Sequence, residues 1–385
     1  MTLLVVQILP FGRLFGPFAF HAESGAVLYS DTLSVSPGTT ILMIVRLLGY
    51  GLFSALLVQA AATRATQRWR MLQILFGVTV AYAILGLLSL FVMHDTLLGT
   101  VKWAYPGTAT GPFVNRNSFA TFLAFGLVSG TALLCGLKRT RYQRQGTSLH
   151  CLGLLIVASA LLATQSRMGC LAGALGLSVV LAAAAARARL NWQAIAALCA
   201  LGVAAAGALL GLFGGALLER LGSLDSDSDV RGDLYHQILG MIWQRPLLGW
   251  GGGSFETAFP LVHVPPLSTD LVWDKAHSTY LALWTELGLV VGTLPTIACL
   301  LLGARMFKTL RRNGPEWSIA VAALGVLAVA ALHSAVDFSL EIEANTFLFL
   351  AILTLGAALP TEHSPDDPQK IGVEVGRIGA PPRLR

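Results

Sequence analysis

The sequence predicts an all-α, polytopic transmembrane helical bundle of about nine spans, with one large outward loop carrying short amphipathic helices. Three observations lead there. Of 385 residues, 55% are hydrophobic and only 12% charged, and the mean hydropathy of +0.69 is far above that of soluble globular chains. Nine apolar windows approach the roughly twenty residues needed to cross about 30 Å of hydrocarbon. Lys and Arg alternate between the connecting loops as the positive-inside rule requires.

Taken in order, the windows fall at 40–61, 71–93, 118–137, 149–165, 168–186, 193–213, 278–303, 318–334 and 344–359. Basic loops carry Arg64, Arg68 and Arg70, then Lys138, Arg139, Arg141 and Arg144, then Arg187 and Arg189, then Arg305, Lys308, Arg311 and Arg312. These are expected on the cytoplasmic side. The loops around 94–117, 166–168, 214–277 and 335–343 then face the periplasm or exterior. The net charge of +6 is therefore mostly a topology signal, and its short clusters between spans argue against nucleic-acid binding. Five cysteines, at 135, 151, 170, 199 and 299, lie in or beside apolar runs without a C-x-x-C pair and read as small core residues.

Residues 1–39 form an apolar segment expected on the outer side, 40–359 the membrane-embedded domain, and 360–385 a polar, Pro-rich cytoplasmic tail expected to be disordered. The first segment is interrupted by Pro10, Gly12 and Arg13 and lacks a basic n-region, so it reads poorly as a signal peptide. It fits part of a span, a re-entrant segment or an interfacial one.

Ionisable residues within apolar runs carry the functional argument. Arg46 lies about 9 Å inside the first span, where it is either paired and functional or snorkels to the outer interface. Asn-Arg-Asn at 115–117 opens the third span, with Asn117 or Ser118 as the natural N-cap. Arg167 sits in the tight outer turn between the fourth and fifth spans, where the positive-inside rule gives a cation no role, so it reads as an anion ligand. After it, Gly169, Ala172, Gly173 and Gly176 are spaced for close helix approach.

The large loop opens with a Ser/Asp run at 223–229, read as a flexible acidic entry with Ser228 or Asp229 capping a helix. Leu234, Ile238, Met241 and Ile242 then recur at helical spacing, predicting an amphipathic helix lying on the membrane surface. Arg231 would occupy its first turn, where the helix dipole disfavours a cation unless both face an anion such as phosphate. A salt bridge to Asp229 or Asp233 is the structural alternative. The glycine-rich stretch 249–253 lacks the Lys-Ser/Thr of a P-loop and reads as a tight turn, with Trp250 at the interface. His277 closes the loop and opens the seventh span, placed either as a neutral base for a hydroxyl proton or as a capping histidine. Glu286 reads mainly as a buried structural acceptor, and His333 and Asp337 as an i, i+4 pair.

The order N-R-N, S-R-M-G, R-G-D-L-Y, R-P-L-L-G-W-G-G-G-S-F and A-H-S-T-Y-L with E-L-G-L, over roughly 105–360, resembles the O-antigen ligase and polymerase superfamily of bacterial membranes. That resemblance implies an inverting, metal-independent glycosyltransferase without a cofactor. It would move a glycan from an undecaprenyl-diphosphate donor to a glycan, lipid A core or other hydroxyl acceptor at the periplasmic face of the inner membrane. It also implies that Arg167 and Arg231 hold the diphosphate and that His277 activates the acceptor. Separately from the resemblance, Arg46 and Tyr235 are candidate substrate contacts. Polymerisation or exopolysaccharide assembly leads over lipid A core ligation. A transporter or flippase is the reading from another class, but it would place charges and broken helices at the midplane, often with internal repeats. A non-catalytic scaffold would leave His277 and both arginines dispensable.

Overall fold

A computed structural model describes residues 1–61, 65–97, 99–136, 144–188, 193, 224–268, 270–310 and 317–358. Helices α1 (Thr2–Ile8) and α2 (Gly12–Phe15) precede a hairpin, β1 (Phe18–His21) with β2 (Val27–Ser30). Then come α3 (Pro37–Ala61), α4 (Ala65–Phe91), a minimal ribbon β3 (Thr96–Leu97) with β4 (Thr100–Val101), α5 (Arg116–Gly136), α6 (Arg144–Ala163) and α7 (Arg167–Arg187). After the undescribed stretch follow α8 (Leu224–Gln244), α9 (Phe255–Val262), α10 (Thr279–Leu310), α11 (Trp317–His333), a 3-10 turn Ser339–Glu341 and α12 (Glu343–Ala357).

The fold is mostly helical, and the two antiparallel ribbons correct the all-α expectation. The longer one pairs Phe-Ala-Phe-His with Val-Leu-Tyr-Ser, aromatic and β-branched residues suited to strands, around a turn at Gly25. Among the described residues five helices are long and apolar enough to cross a membrane: α3, Thr66–Phe91 of α4, α5, α7 and α10. The windows at 149–165, 318–334 and 344–359 fall on shorter apolar helices, and the window at 193–213 lies outside the described residues apart from Gln193. The tail from Pro360 is likewise outside them.

At the centre, α5, α7 and α11 pack together, with α5 the most enclosed of the long helices. Small residues allow this approach. A Cβ on Gly169 would stand 2.4 Å from the Ala120 Cβ, and one on Gly176 would stand 2.5 Å from Val329. The small-residue spacing after Arg167 thus serves helix contact, as the sequence predicts. By contrast α3 is peripheral, and its Tyr50 and Phe53 meet Phe347 of α12 edge-on at 5.2 and 5.0 Å. Of the four described cysteines, all free, only Cys170 is buried, while Cys151 is exposed on the flank of α6.

A second hydrophobic core forms a cap on one end of this bundle. Leu234, Ile238, Met241 and Ile242 of α8 are all buried against Phe20, Trp250, Phe255 and Phe259. The apolar stripe of α8 is therefore spent on protein, which corrects its expected place on the membrane surface. Fully burying side chains of this kind contributes about 1.5–3 kcal/mol each. Trp250 is likewise in the cap core, donating its ring N–H to the Met241 carbonyl at 2.9 Å, and is not an interfacial residue.

Cap and bundle meet where α10 breaks. Thirty-two residues at about 1.5 Å each make α10 about 48 Å long, more than a bilayer core needs. Gly288, at φ 73°, kinks it. The glycine-rich turn docks on that kink: Trp250 N donates to Thr285 O (2.9 Å), Gly251 N to Glu286 O (3.1 Å), and Leu289 N to Pro246 O (2.7 Å). The carboxylate of Glu286 accepts from Gly253 N at 2.8 Å, the structural-acceptor role expected of it. Buried Gln7 of α1 completes the joint, donating to Leu248 O (2.7 Å) and Glu286 O (2.9 Å) while accepting from Gly252 N (3.1 Å). These bonds place the seven-residue α1 against the cap.

Gly249 has φ 66°, and a Cβ there would stand 2.3 Å from the Glu286 carbonyl oxygen. Gly249→Ala should therefore destabilise the protein by at least about 1–3 kcal/mol. Thermal unfolding in nanodiscs checks this; an unchanged midpoint would count against the joint described.

Candidate active site

The loops expected on the outer side converge on the capped end of the bundle. A cavity of about 850 Å³ opens there, bounded by the 103–118 segment, the Asp274–His277 segment and the Phe338–Ala344 segment. His277 lies on its wall and is held in an unusual backbone conformation, φ 50°. Such conformations persist only where the surroundings enforce them. Here the Tyr235 hydroxyl donates to the His277 carbonyl at 2.8 Å, Thr279 N donates to Ser334 O at 2.9 Å, and the Thr279 hydroxyl donates to Asp337 O at 3.2 Å. The imidazole meets Phe338 edge-on, with ring centres 5.3 Å apart.

Burial pushes the His277 imidazole below its ordinary range, with the Asp337 carboxylate opposing and the Arg231 guanidinium reinforcing the shift. The ring is therefore neutral at pH 7. Burial also raises the Tyr235 phenol, while Arg231 acts in the opposite sense. Arg231, Tyr235 and His277 are thus brought within electrostatic reach of one another, and Arg231 and Tyr235 share a face of α8 at i, i+4.

Two details of Arg231 differ from expectation. Helix α8 starts at Leu224, because nothing in the Ser/Asp run forbids helical geometry before Gly232. Arg231 is its eighth residue, in the third turn, so the helix N-terminus does not share an anion with it. The expected flexible entry and its cap at Ser228 or Asp229 are replaced by continuous helix.

Arg167 is the first residue of α7, half-buried, behind the N-cap Ser166, whose side chain accepts from Gly169 N at 3.2 Å. The Ser166 hydroxyl donates to Asn117 Oδ1 at 2.8 Å, which ties this turn to the cavity wall at Asn115 and Ser118. The N-cap of α5 is Asn115, accepting from Asn117 N at 2.7 Å, and not Asn117 or Ser118. Arg46 pairs with Glu343 of the cavity wall at 3.0 Å, both half-exposed, so it acts on the cavity through that carboxylate.

Sequence reasoning did not find the partners of the acidic groups on the other wall. Lys275 pairs with Glu341 at 3.4 Å, and burial raises the Glu341 carboxyl while Lys275 opposes it. Buried Asp337 accepts from the Ser339 hydroxyl and lies 3.6 Å from His333 Nδ1, which also contacts the Thr121 hydroxyl at 3.2 Å. The i, i+4 spacing of His333 and Asp337 was legible, but the approach of Asp337 to His277 was not. Among the described residues no group of three or more His, Cys, Asp or Glu is arranged to hold a metal ion.

Residues 152–296, which include Arg167, Arg231, Tyr235 and His277, match the family model described as O-antigen ligase. Over that segment the chain is similar to the O-antigen ligase family. No curated protein matches it. Together with five helices among the described residues that are long and apolar enough to cross a membrane, this similarity indicates a membrane protein. The match covers the arginine turn, the large loop and the first part of α10, while the cavity wall at 103–118 lies before it.

The His277 imidazole should titrate below its ordinary pKa near 6.5. Because Asp337 raises that value, Asp337→Asn should lower it further, moving the protonation step to more acidic pH. Histidine-selective NMR titration, with His277→Gln assigning the signal, checks both; an upward shift in Asp337→Asn would overturn the electrostatic picture.

Proposed function

We propose that the protein transfers a glycan from an undecaprenyl-diphosphate-linked donor to an acceptor hydroxyl at the periplasmic face of the bacterial inner membrane. The observation that carries this reading is the placement of a half-buried, neutral His277 on the wall of a large cavity, within electrostatic reach of Arg231 and Asp337. In this reading His277 takes the proton of the acceptor hydroxyl as its oxygen attacks the anomeric carbon. The bond from that carbon to the diphosphate oxygen breaks with inversion, and the lipid diphosphate leaves with the electron pair. Arg231 and Arg167 stabilise the charge that builds on it. Asp337 stabilises the imidazolium formed, Tyr235 positions His277 through its carbonyl, and Arg46 orients Glu343.

Polymerisation or exopolysaccharide assembly is the preferred form, with ligation to lipid A core as the alternative acceptor. The reading is metal-independent. Asp225, Asp227 and Asp229 have Asp-x-Asp spacing, which is where a metal-dependent mechanism would begin, so chelation belongs in the test.

The test compares lipid-linked and surface glycans in a deletion strain carrying wild type or variants at equal membrane abundance. His277→Ala should reduce transfer by about 10²–10⁴-fold. Arg231→Ala should do so as well, with Arg231→Lys recovering only part because a bidentate fork is lost. EDTA should leave transfer by the purified protein unchanged. Full product from His277→Ala would sink the transferase reading and put transport or scaffolding first. The sugar at the reducing end of the product separates polymerase from ligase.

A further inference from the structure

We propose that the 94–114 loop is the acceptor subsite, a sugar-stacking platform centred on Trp103. This deepens the transferase reading and rests on it. A transferase must hold two substrates, and the cavity beside His277 continues past a shared wall, Trp103, Ala104 and Pro112–Val114, into a second cavity of about 370 Å³. Trp103 borders both and is 84% exposed.

Its loop is built to hold it there. Lys102 pairs with Asp95 and donates to Thr108 O at 2.7 Å, while Gly107 N donates to Asp95 Oδ2 at 2.7 Å. Beyond them Ala109 N donates to Ala163 O at 2.8 Å, fastening the loop to α6. Tyr105, at φ 53°, faces the Arg116 guanidinium at 5.3 Å from its ring centre. A large apolar ring kept in solvent on a pinned loop is the arrangement of a binding anchor, since aromatic faces supply area at little entropic cost.

Charge decides what the anchor takes. The cations proposed for the diphosphate, Arg167 and Arg231, belong to α7 and α8, whereas the cavity around the platform is lined by Asn115, Ser118, Asp274, Lys275 and a Glu343 paired with Arg46, a set balanced in charge. Balanced charges give a diphosphate no net attraction, while the same groups exchange hydrogen bonds with hydroxyls. Ser118 is 1% exposed and lines the cavity, and its buried hydroxyl has no hydrogen-bond partner among the described residues. Buried polar groups of this kind call for a polar ligand atom. An aromatic face with carboxylate and hydroxyl groups around it suits a pyranose ring, apolar on its C–H face and polar at its rim. An isoprenoid chain would leave these groups unsatisfied.

The test is saturation-transfer NMR on the full chain in nanodiscs with methyl β-glycosides of glucose, galactose and N-acetylglucosamine as probes. Wild type should bind at least one of them, and Trp103→Ala should weaken that binding about tenfold or more, with Trp103→Phe between the two. An unaltered His277 titration shows that the variant is folded. His277→Ala should abolish transfer while glycoside binding remains dependent on Trp103, so loss of binding and loss of transfer are read separately. If no probe binds wild type in a manner that Trp103→Ala abolishes, the platform is overturned. If Trp103→Ala keeps glycoside binding but loosens the protein from the bilayer, Trp103 is an interfacial anchor and the proposal is equally overturned.

Discussion

The joint between the glycine-rich turn and the kink of α10 is the constraint on which the rest depends. Buried backbone N–H and C=O groups must be paired, and a break in a long helix frees several at once. Trp250 N, Gly251 N and Leu289 N meet Thr285, Glu286 and Pro246 carbonyls across that break. The close approach demands glycine at 249 and 288, where a Cβ would collide with carbonyl oxygens. Because the joint fixes the direction of Thr279–Leu287, it also fixes the loop just before it, which carries His277.

Two hydrophobic layers then divide the work. The bundle core sets the helix ends, while the cap core orients α8 and thereby Arg231 and Tyr235. Between them lies a polar seam of Thr121, His333, Asp337, Ser339 and Asn345, with the Asn345 amide donating to the Ser118 and Ser339 carbonyls at 2.9 Å each. A seam of short-range bonds between three helices is stiff, and it holds one wall of the cavity against the other. His277 is strained, half-buried and tied to this seam at Ser334 and Asp337. Pre-organisation of this sort suits a base that must stay neutral and accept a proton in place.

Much of this was legible in the chain itself. Hydropathy placed eight apolar helices, since crossing or packing in an apolar medium requires runs of apolar residues whatever the neighbours. The small residues after Arg167 announced close helix contact, and the glycines at 249–253 announced a tight turn. Arg167 stood out as a cation in an outer turn and His277 as an ionisable residue at the edge of an apolar run, whereas Arg231 stood out by an expected first-turn position that the longer helix replaces. The starting point of α8, the burial of its apolar face and the place of Trp250 were not legible, because an amphipathic stripe looks the same whether it covers protein or lipid.

What the sequence determined is the set of apolar segments, the tight turns and the chemical types available at one end of the bundle. Tertiary structure alone decided which of them meet. Asp337 comes to His277, Lys275 to Glu341, Arg46 to Glu343 and Gln7 to the turn at 248–252, over separations of 60 residues or more. Such pairs carry no local periodicity, because their partners are set by the packing of helices distant in the chain. Only the packed bundle could bring them to one cavity.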